Sequence, residues 1–361
     1  MTGMGSSHFG PRRLPFALFA VVLLALVEPG CLSLNGAPSQ IARDTPPPAV
    51  RDTPSPAVRA IWVQARAANT PQDADRMISH VKRGGFNTIL YGIDGDGVYY
   101  RSKLLPQSRY VTSQYDPLAY VVKQAHANGL KVQAWWSCGP APDSAAFRTR
   151  YPTFDIALLA AVPDDVHWLN FALPEVKQFA GDVVLELAQN YDVDGVHLDY
   201  IRYPEDPDPS GATFGANDVP STVQSAYQRL KAVKPGTQLT AAVLSNQLDS
   251  RDHRQNWANW LAGNYIDRVF PMAYFDPGLT YRSGGSWTLE LDAGKWQSLA
   301  HPERIAPGLM ALYRDGSMAK TPEQFMAQVE LCRKYRFGDL AVFDERTVTD
   351  EILDALAAMP E

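Results

Sequence analysis

A chain of 361 residues with 45% hydrophobic and 20% charged residues has the composition of a globular protein with a sizeable core. The net charge of -6 excludes the basic footprint of a nucleic-acid binder, and no basic stripe interleaved with aromatics appears. Three cysteines without ligand spacing give neither a zinc site nor a disulfide framework.

The chain opens with an export signal. Arg12 and Arg13 precede an apolar run from Leu14 to Val27, too short to span a bilayer comfortably. Cys31 is the candidate lipidation site of a lipoprotein signal over residues 1–31, although Glu28 and Pro29 depart from the pattern expected before such a cysteine. Lipid attachment and plain secretion both stay open, and the expected location is periplasmic or cell-surface. Residues 32–58 form a linker. Arg43 to Val50 (RDTPPPAV) repeats almost unchanged as Arg51 to Val58 (RDTPSPAV), and proline at this density favours an extended, solvated spacer.

From residue 59 strand and helix signals alternate. Ala60 to Arg66 is a first strand. The helix from Thr70 to Arg83 has an N-cap threonine, a proline at its first position and Gly84-Gly85 as its stop. Phe86 to Ile93 is the second strand and Asp116 to Asn128 its helix. Leu130 to Ser137 is the third strand; after an excursion from Cys138 to Phe171 its helix runs from Pro174 to Asn190. The fourth strand lies in the stretch Val193 to Pro204 (VDGVHLDYIRYP), and Val219 to Lys234 follows as a helix. Gln238 to Ser245, Ile266 to Phe275, Arg304 to Tyr313 and Asp339 to Phe343 are the remaining strands. Helices over Gln255 to Gly263, Leu289 to Ala300, Thr321 to Tyr335 and Thr349 to Ala358 follow them in turn. Eight strand–helix pairs in this order predict a single (β/α)8 TIM barrel over residues 59–361. The alternative, a doubly wound open sheet, needs a glycine-rich phosphate turn after the first strand, and none follows Arg66.

In such a barrel the C-terminal strand ends line one mouth. Those ends carry Arg66, Asp94, Trp135, His197, Asp199, Arg202, Asn246, Tyr274, Asp276, Tyr313, Asp344 and Glu345, an acidic and aromatic set. With no pair of histidines at metal spacing and no Gly-x-Ser-x-Gly elbow, what remains is carboxylate chemistry with stacking platforms, the equipment of a glycoside hydrolase. No metal site and no cofactor are expected. Asp199 is the first candidate for catalysis, because it shares a strand face with His197 at the polar end of the fourth strand. Asp276, on one face with Tyr274, is the second, and Asp344 or Glu345 is its alternative. His197, Arg202, Tyr274, Trp135, Asp94, Arg66, Asn246 and Tyr313 are candidate sugar-binding residues. Trp135 and Trp136 point to opposite sides of one strand, so at most one of them can stack on a sugar.

Several stretches resemble the glycosyl-hydrolase-like 10 family: Arg59 to Val63 (RAIWV), Gly85 to Thr88 (GFNT), Leu130 to Trp135 (LKVQAW), Trp168 to Asn170 (WLN), Val193 to Pro204 and Asp267 to Tyr274 (DRVFPMAY). The resemblance spans about residues 59 to 345, with Asp194-Gly195-Val196-His197-x-Asp199 its most specific part. It implies a bacterial cell-envelope glycosidase; some members act on peptidoglycan glycan strands stripped of their stem peptides. It matches Asp199 to the family's fourth-strand aspartate and His197 to the histidine two before it. Asp276 stands where glutamate is more usual, and Tyr200 replaces a second acidic residue found directly after Asp199 in other members. The expectation is an exported, monomeric glycoside hydrolase acting on an envelope polysaccharide, with Asp199 as nucleophile or general base and Asp276 as acid. The rival is a non-catalytic barrel that binds envelope glycan, for which carboxylates locked to arginines would be the sign. A glycosidase of another specificity is a further rival.

Overall fold

A computed structural model describes residues 57–158, 167–204, 214–276, 281–282, 286–314 and 316–360. The expected export segment with Cys31, nearly all of the expected linker and the acidic run at residues 205–208 lie outside the described residues. Residues 55–361 make one compact unit.

Eight parallel strands close into a barrel. They are β1 (Arg59–Val63), β2 (Thr88–Gly92), β3 (Lys131–Ser137), β4 (Gly195–Asp199), β5 (Gln238–Leu244), β6 (Arg268–Met272), β7 (Gly308–Met310) and β8 (Leu340–Phe343). Each pairs with its chain neighbour, and β8 closes on β1 through Arg59 opposite Leu340 and Ile61 opposite Val342. The strands are followed in turn by α1 (Pro71–Arg83), α2 (Pro117–Ala127), α3 (Pro174–Asn190), α4 (Asp218–Val233), α5 (Trp257–Ala262), α6 (Leu289–Gln297), α7 (Pro322–Lys334) and α8 (Asp350–Ala357). The predicted (β/α)8 barrel is therefore the observed fold, with its strands in sequential order.

Local chemistry explains the elements. Thr70 caps α1 by accepting the Asp73 N–H while Asp73 reaches back to the Thr70 amide, and Pro71 supplies the first turn. Ala74, Met77, Ile78 and Val81 recur at helical spacing and are all buried against the barrel. Burying each of the three larger side chains is worth roughly 1.5–3 kcal/mol. Thr321, Pro322 and Gln324 repeat the same device at α7.

Strand alternation sorts two cores. Val196 and Leu198 of β4 face the helices with Ile61, Ile89, Val132 and Trp136. Inside the barrel lie Trp62, Leu90, Trp135, Ala242, Phe270 and Ala341. Gly308 allows the Trp62 indole its place, because a Cβ there would stand 2.8 Å from the ring.

The differences from expectation sit at strand ends. β6 and β7 are shorter than predicted, at Arg268–Met272 and Gly308–Met310. Pro307 directly precedes β7 and has no N–H for a ladder bond. After β1 the chain turns at once into a 3-10 helix, Ala65–Ala68. Short helices at Ala145–Arg150 and Gln247–Asp252, and a small hairpin pairing Tyr281–Arg282 with Ser286–Trp287, had no clear sequence signal. Among the described residues no helix is long and apolar enough to cross a membrane.

Candidate active site

Asp199 ends β4 directly opposite Ser137, the last residue of β3. It is buried, at 6% exposure, and both its oxygens are engaged. The Trp135 indole N–H donates to Oδ2 at 3.0 Å, and the Tyr200 amide donates to Oδ1 at 2.7 Å. Burial raises the Asp199 pKa; the two N–H donors and the charge of Arg202 oppose that shift and favour the carboxylate. Tyr200 itself adopts a left-handed backbone, φ 51°, which costs a side-chain-bearing residue of order 1 kcal/mol.

Asp94 follows β2 and binds the same strand end. Its Oδ1 accepts the Ser137 N–H at 3.1 Å. Burial pushes its pKa up to about 6, and the negative charge of Asp199 pushes the same way against the hydrogen bonds from Ser137. Thus β3 presents Trp135 and Ser137 on one face, and each of them holds a carboxylate. Neither Asp94 nor Asp199 forms an ion pair with an arginine or lysine among the described residues.

Around this pair the mouth is aromatic. Tyr200 is 38% exposed, stands edge-on to Trp168 at 5.9 Å and carries the Arg202 guanidinium over its ring at 4.6 Å. Trp168 donates to the Arg202 carbonyl at 2.6 Å. Gly139 is required beside them, since a Cβ there would lie 2.3 Å from the Tyr200 carbonyl oxygen. Tyr274 packs on Phe343 at 5.4 Å; its hydroxyl pKa is raised by burial and by the charges of Asp199, Tyr200 and Asp344. Tyr200 and Trp168 were absent from the predicted site. The signal for Tyr200 was its place one residue beyond the polar strand end.

Other expected residues play different parts. His197 does not reach the mouth. It is fully buried one layer below, where it accepts the Trp62 indole N–H at Nε2 (3.1 Å) and pairs through Nδ1 with Thr240 Oγ1 (2.9 Å). Thr240 in turn donates to Gln133 at 2.6 Å. With the indole donating to Nε2, the ring is neutral with its proton on Nδ1, and burial drives its pKa down to about 3. Sugar binding by His197 is therefore corrected to support from beneath. Trp135 lies mostly inside the barrel and offers Asp199 its indole N–H; Trp136 faces outward onto Phe179 at 6.5 Å.

Arg66 sits on the 3-10 turn after β1 and is exposed. Asn246 is buried, and its carbonyl caps Ser250 at 2.9 Å. Tyr313 accepts Gln324 Nε2 at 3.0 Å, at the start of α7.

The alternative second carboxylates are held elsewhere. Asp276 is buried at 8% and accepts the Arg314 amide at 2.7 Å, on the β6–β7 side of the rim. Below it the buried Lys320 donates to the Phe275 and Met310 carbonyls at 2.8 Å each and to Gln328 at 3.2 Å, clamping the β6 and β7 exits together. Burial lowers the Lys320 pKa to about 8, against the charge of Asp276. Asp344 is fully buried and paired with Arg346 at 2.9 Å, and Glu345 binds His80 of α1 at 3.2 Å. The carboxylate whose charge acts on Asp94 is Asp199, not these.

Comparison with known proteins follows the same residues. The family model of glycosyl hydrolase-like 10 matches residues 57–214, a span that runs from β1 past β4 and contains Asp94, Trp135 and Asp199. Over that span the chain is similar to glycosyl hydrolase-like 10. The resemblance read in the sequence thus holds for the half of the barrel carrying both carboxylates, while the β6 stretch Asp267 to Tyr274 lies beyond the matched residues. Glycosyl hydrolase DigH of Escherichia coli K12 is 24% identical over 69% of this chain and 67% of its own length. Two solved structures share the fold. The glycoside hydrolase domain of PgaB (BpsB) from Bordetella bronchiseptica superposes with a TM-score of 0.59 at 11% identity, covering 84% of this chain and 96% of that one. Catalytic domain 2 of the Group II chitinase of Ostrinia furnacalis gives 0.56 at 10% identity, over 83% and 95%.

Proposed function

We propose that this protein is a glycoside hydrolase acting on a bacterial envelope polysaccharide, with Asp199 and Asp94 as the reacting carboxylates. The family match and the relatives' names support glycosidase chemistry, and the barrel provides the usual mouth for it. One observation carries the assignment: two carboxylates lie within each other's field at the end of β3, and neither is neutralised by an ion pair among the described residues. The rival glycan-binding barrel would be favoured by carboxylates locked to arginines. That describes Asp344, not this pair.

Environment divides the labour. Asp199 has its pKa raised by burial, but two N–H donors and the charge of Arg202 oppose that rise and stabilise its carboxylate, which acts as nucleophile or as the base that activates water. Asp94 has its pKa pushed up to about 6, so it is about half protonated at pH 6 and about one-tenth protonated at pH 7. It is the acid that protonates the leaving oxygen. This reading moves the acid from Asp276 to Asp94. Asp276 keeps the part of a rim residue that fixes the β6–β7 side of the mouth. Tyr200 and Trp168 give the sugar a ring to stack on.

Residues 1–31 would export the chain, Cys31 would anchor it through a lipid, and residues 32–58 would hold the monomeric barrel away from the membrane. Peptidoglycan glycan strands are the first polysaccharide to try. Reducing-end release from stripped peptidoglycan and a panel of exopolysaccharides, by wild type and by Asp199→Asn, tests the reading. Release from at least one glycan, lost in Asp199→Asn, is expected. Equal release by both proteins, or binding of a glycan without any cleavage, would overturn it.

A further inference from the structure

A cleft of about 360 Å³ opens between the loops that follow β2 and β3, with Asp94 in its lining. Its floor is apolar and buried: Val98, Leu105, Trp136, Leu169 and Phe179. Its rim bears three carboxylates. Asp96 is held by Ser108 at 2.6 Å and Arg109 at 2.8 Å, and Asp143 is paired with Arg148 at 2.9 Å. Asp94 also lines the cleft and has no arginine or lysine paired with it among the described residues.

The space exists because of the residues around it. Gly95, Gly97 and Ala141 place almost no side chain over the floor. Gly97, at φ 143°, could not carry one, since a Cβ would lie 2.6 Å from the Gln107 and Ser108 backbone. A cleft of this size with an apolar base and a few polar groups is the usual form of a small-ligand site.

We infer that this cleft is a sugar subsite for the residue next to the cleaved bond, and that it takes an uncharged sugar and rejects an acidic one. The inference rests on the hydrolase reading, because Asp94 belongs both to the carboxylate pair and to the cleft lining. A ligand seated in the cleft therefore lies against Asp94. Carboxylate oxygens at the rim accept hydrogen bonds from sugar hydroxyls, while the C–H face of a ring or a short acyl group covers the apolar floor. An acidic sugar would bring its own carboxylate to a rim that already bears Asp94, Asp96 and Asp143, over a buried apolar floor that holds little water. Like charges there repel far more strongly than in water.

The test measures binding to the full-length protein by calorimetry and cleavage by reducing-end release. The probes are hexamers of N-acetylglucosamine, glucose, mannose and galacturonate. At least one neutral hexamer is expected to bind and the galacturonate hexamer is not. Ala141→Trp, which fills the cleft, should weaken neutral binding by about tenfold or more. Asp143→Arg, at an exposed rim position, should admit the galacturonate hexamer without disturbing the fold. Circular dichroism confirms that both variants are folded.

Binding of the acidic hexamer as tightly as the neutral ones, unchanged neutral binding in a folded Ala141→Trp, exclusion of galacturonate by a folded Asp143→Arg, or binding of no neutral hexamer would overturn the inference. Cleavage that persists unchanged in Ala141→Trp removes the subsite and leaves the hydrolase reading standing. Binding blocked by Ala141→Trp with no cleavage of any glycan does the reverse.

Discussion

Asp199 is held as an acceptor by two N–H groups, and this decides what its amide can and cannot replace. In Asp199→Asn one oxygen becomes an NH2 group facing a donor, either the Trp135 indole or the Tyr200 amide. The nucleophile or base is lost as well. Turnover should fall by about 10²–10⁴-fold with the barrel still folded, as steady-state rates and circular dichroism together will show. Tyr200 belongs to a different class of effect. It is exposed and makes a platform, so Tyr200→Ala should raise KM by roughly 3- to 10-fold, the worth of one aromatic contact, and change kcat less. A drop confined to kcat would argue against stacking.

At the scale of the element, β3 and β4 explain why the two carboxylates share one strand end. Alternation along β4 puts His197 and Asp199 inward, and alternation along β3 puts Trp135 and Ser137 inward opposite them. That much was legible in the sequence, which put His197 and Asp199 on one face at the polar end of the fourth strand. The position of Asp94 was legible only as a strand end. Its pairing with Ser137 depends on how the loop after β2 folds back through Val98 and Gly97, and no periodicity reports that. Asp276 was singled out by sharing a face with Tyr274, but Arg314 and the Lys320 clamp on a neighbouring exit set what surrounds it. Such loop contacts have no local sequence signal.

His197 supplies a stability prediction at the same scale. The folded protein keeps its imidazole neutral down to about pH 3, whereas the unfolded chain takes up that proton near pH 6.5. The contribution is therefore fully present above about 6.5 and is lost as pH falls from there toward 3. His197→Ala strands the Trp62 and Thr240 partners and opens a cavity, at a cost of about 2–4 kcal/mol. Urea denaturation should show that loss at pH 7, and a shallower decline for the variant between pH 6.5 and 3.

For the whole molecule, closure of the barrel is what brings loops from β2, β3, β4 and β6 to one mouth. Eight strand–helix pairs were readable because the caps, prolines and glycine stops were chemically explicit, as at Thr70, Thr321 and Gly84. The short extents of β6 and β7 were not, because apolar residues continue past both ends of each strand. The closing seam depends on the last elements. β8 pairs with β1, and α8 buries Ile352, Leu353 and Leu356 behind it. A chain ended after Thr349 should lose cooperative thermal unfolding, since it removes those side chains and exposes the surface they cover behind the β8–β1 seam. Retention of a sharp transition would show that α8 is dispensable for closure.

The division of labour between the carboxylates is most directly tested by the pH dependence of kcat/KM on whichever glycan is cleaved. With Asp94 as the acid, the rate falls as pH rises through about 6, and Asp94→Asn removes that limb while lowering the rate throughout. If Asp94→Asn keeps the wild-type profile and Asp276→Asn abolishes it, the acid is Asp276 and the Asp94–Asp199 assignment is wrong.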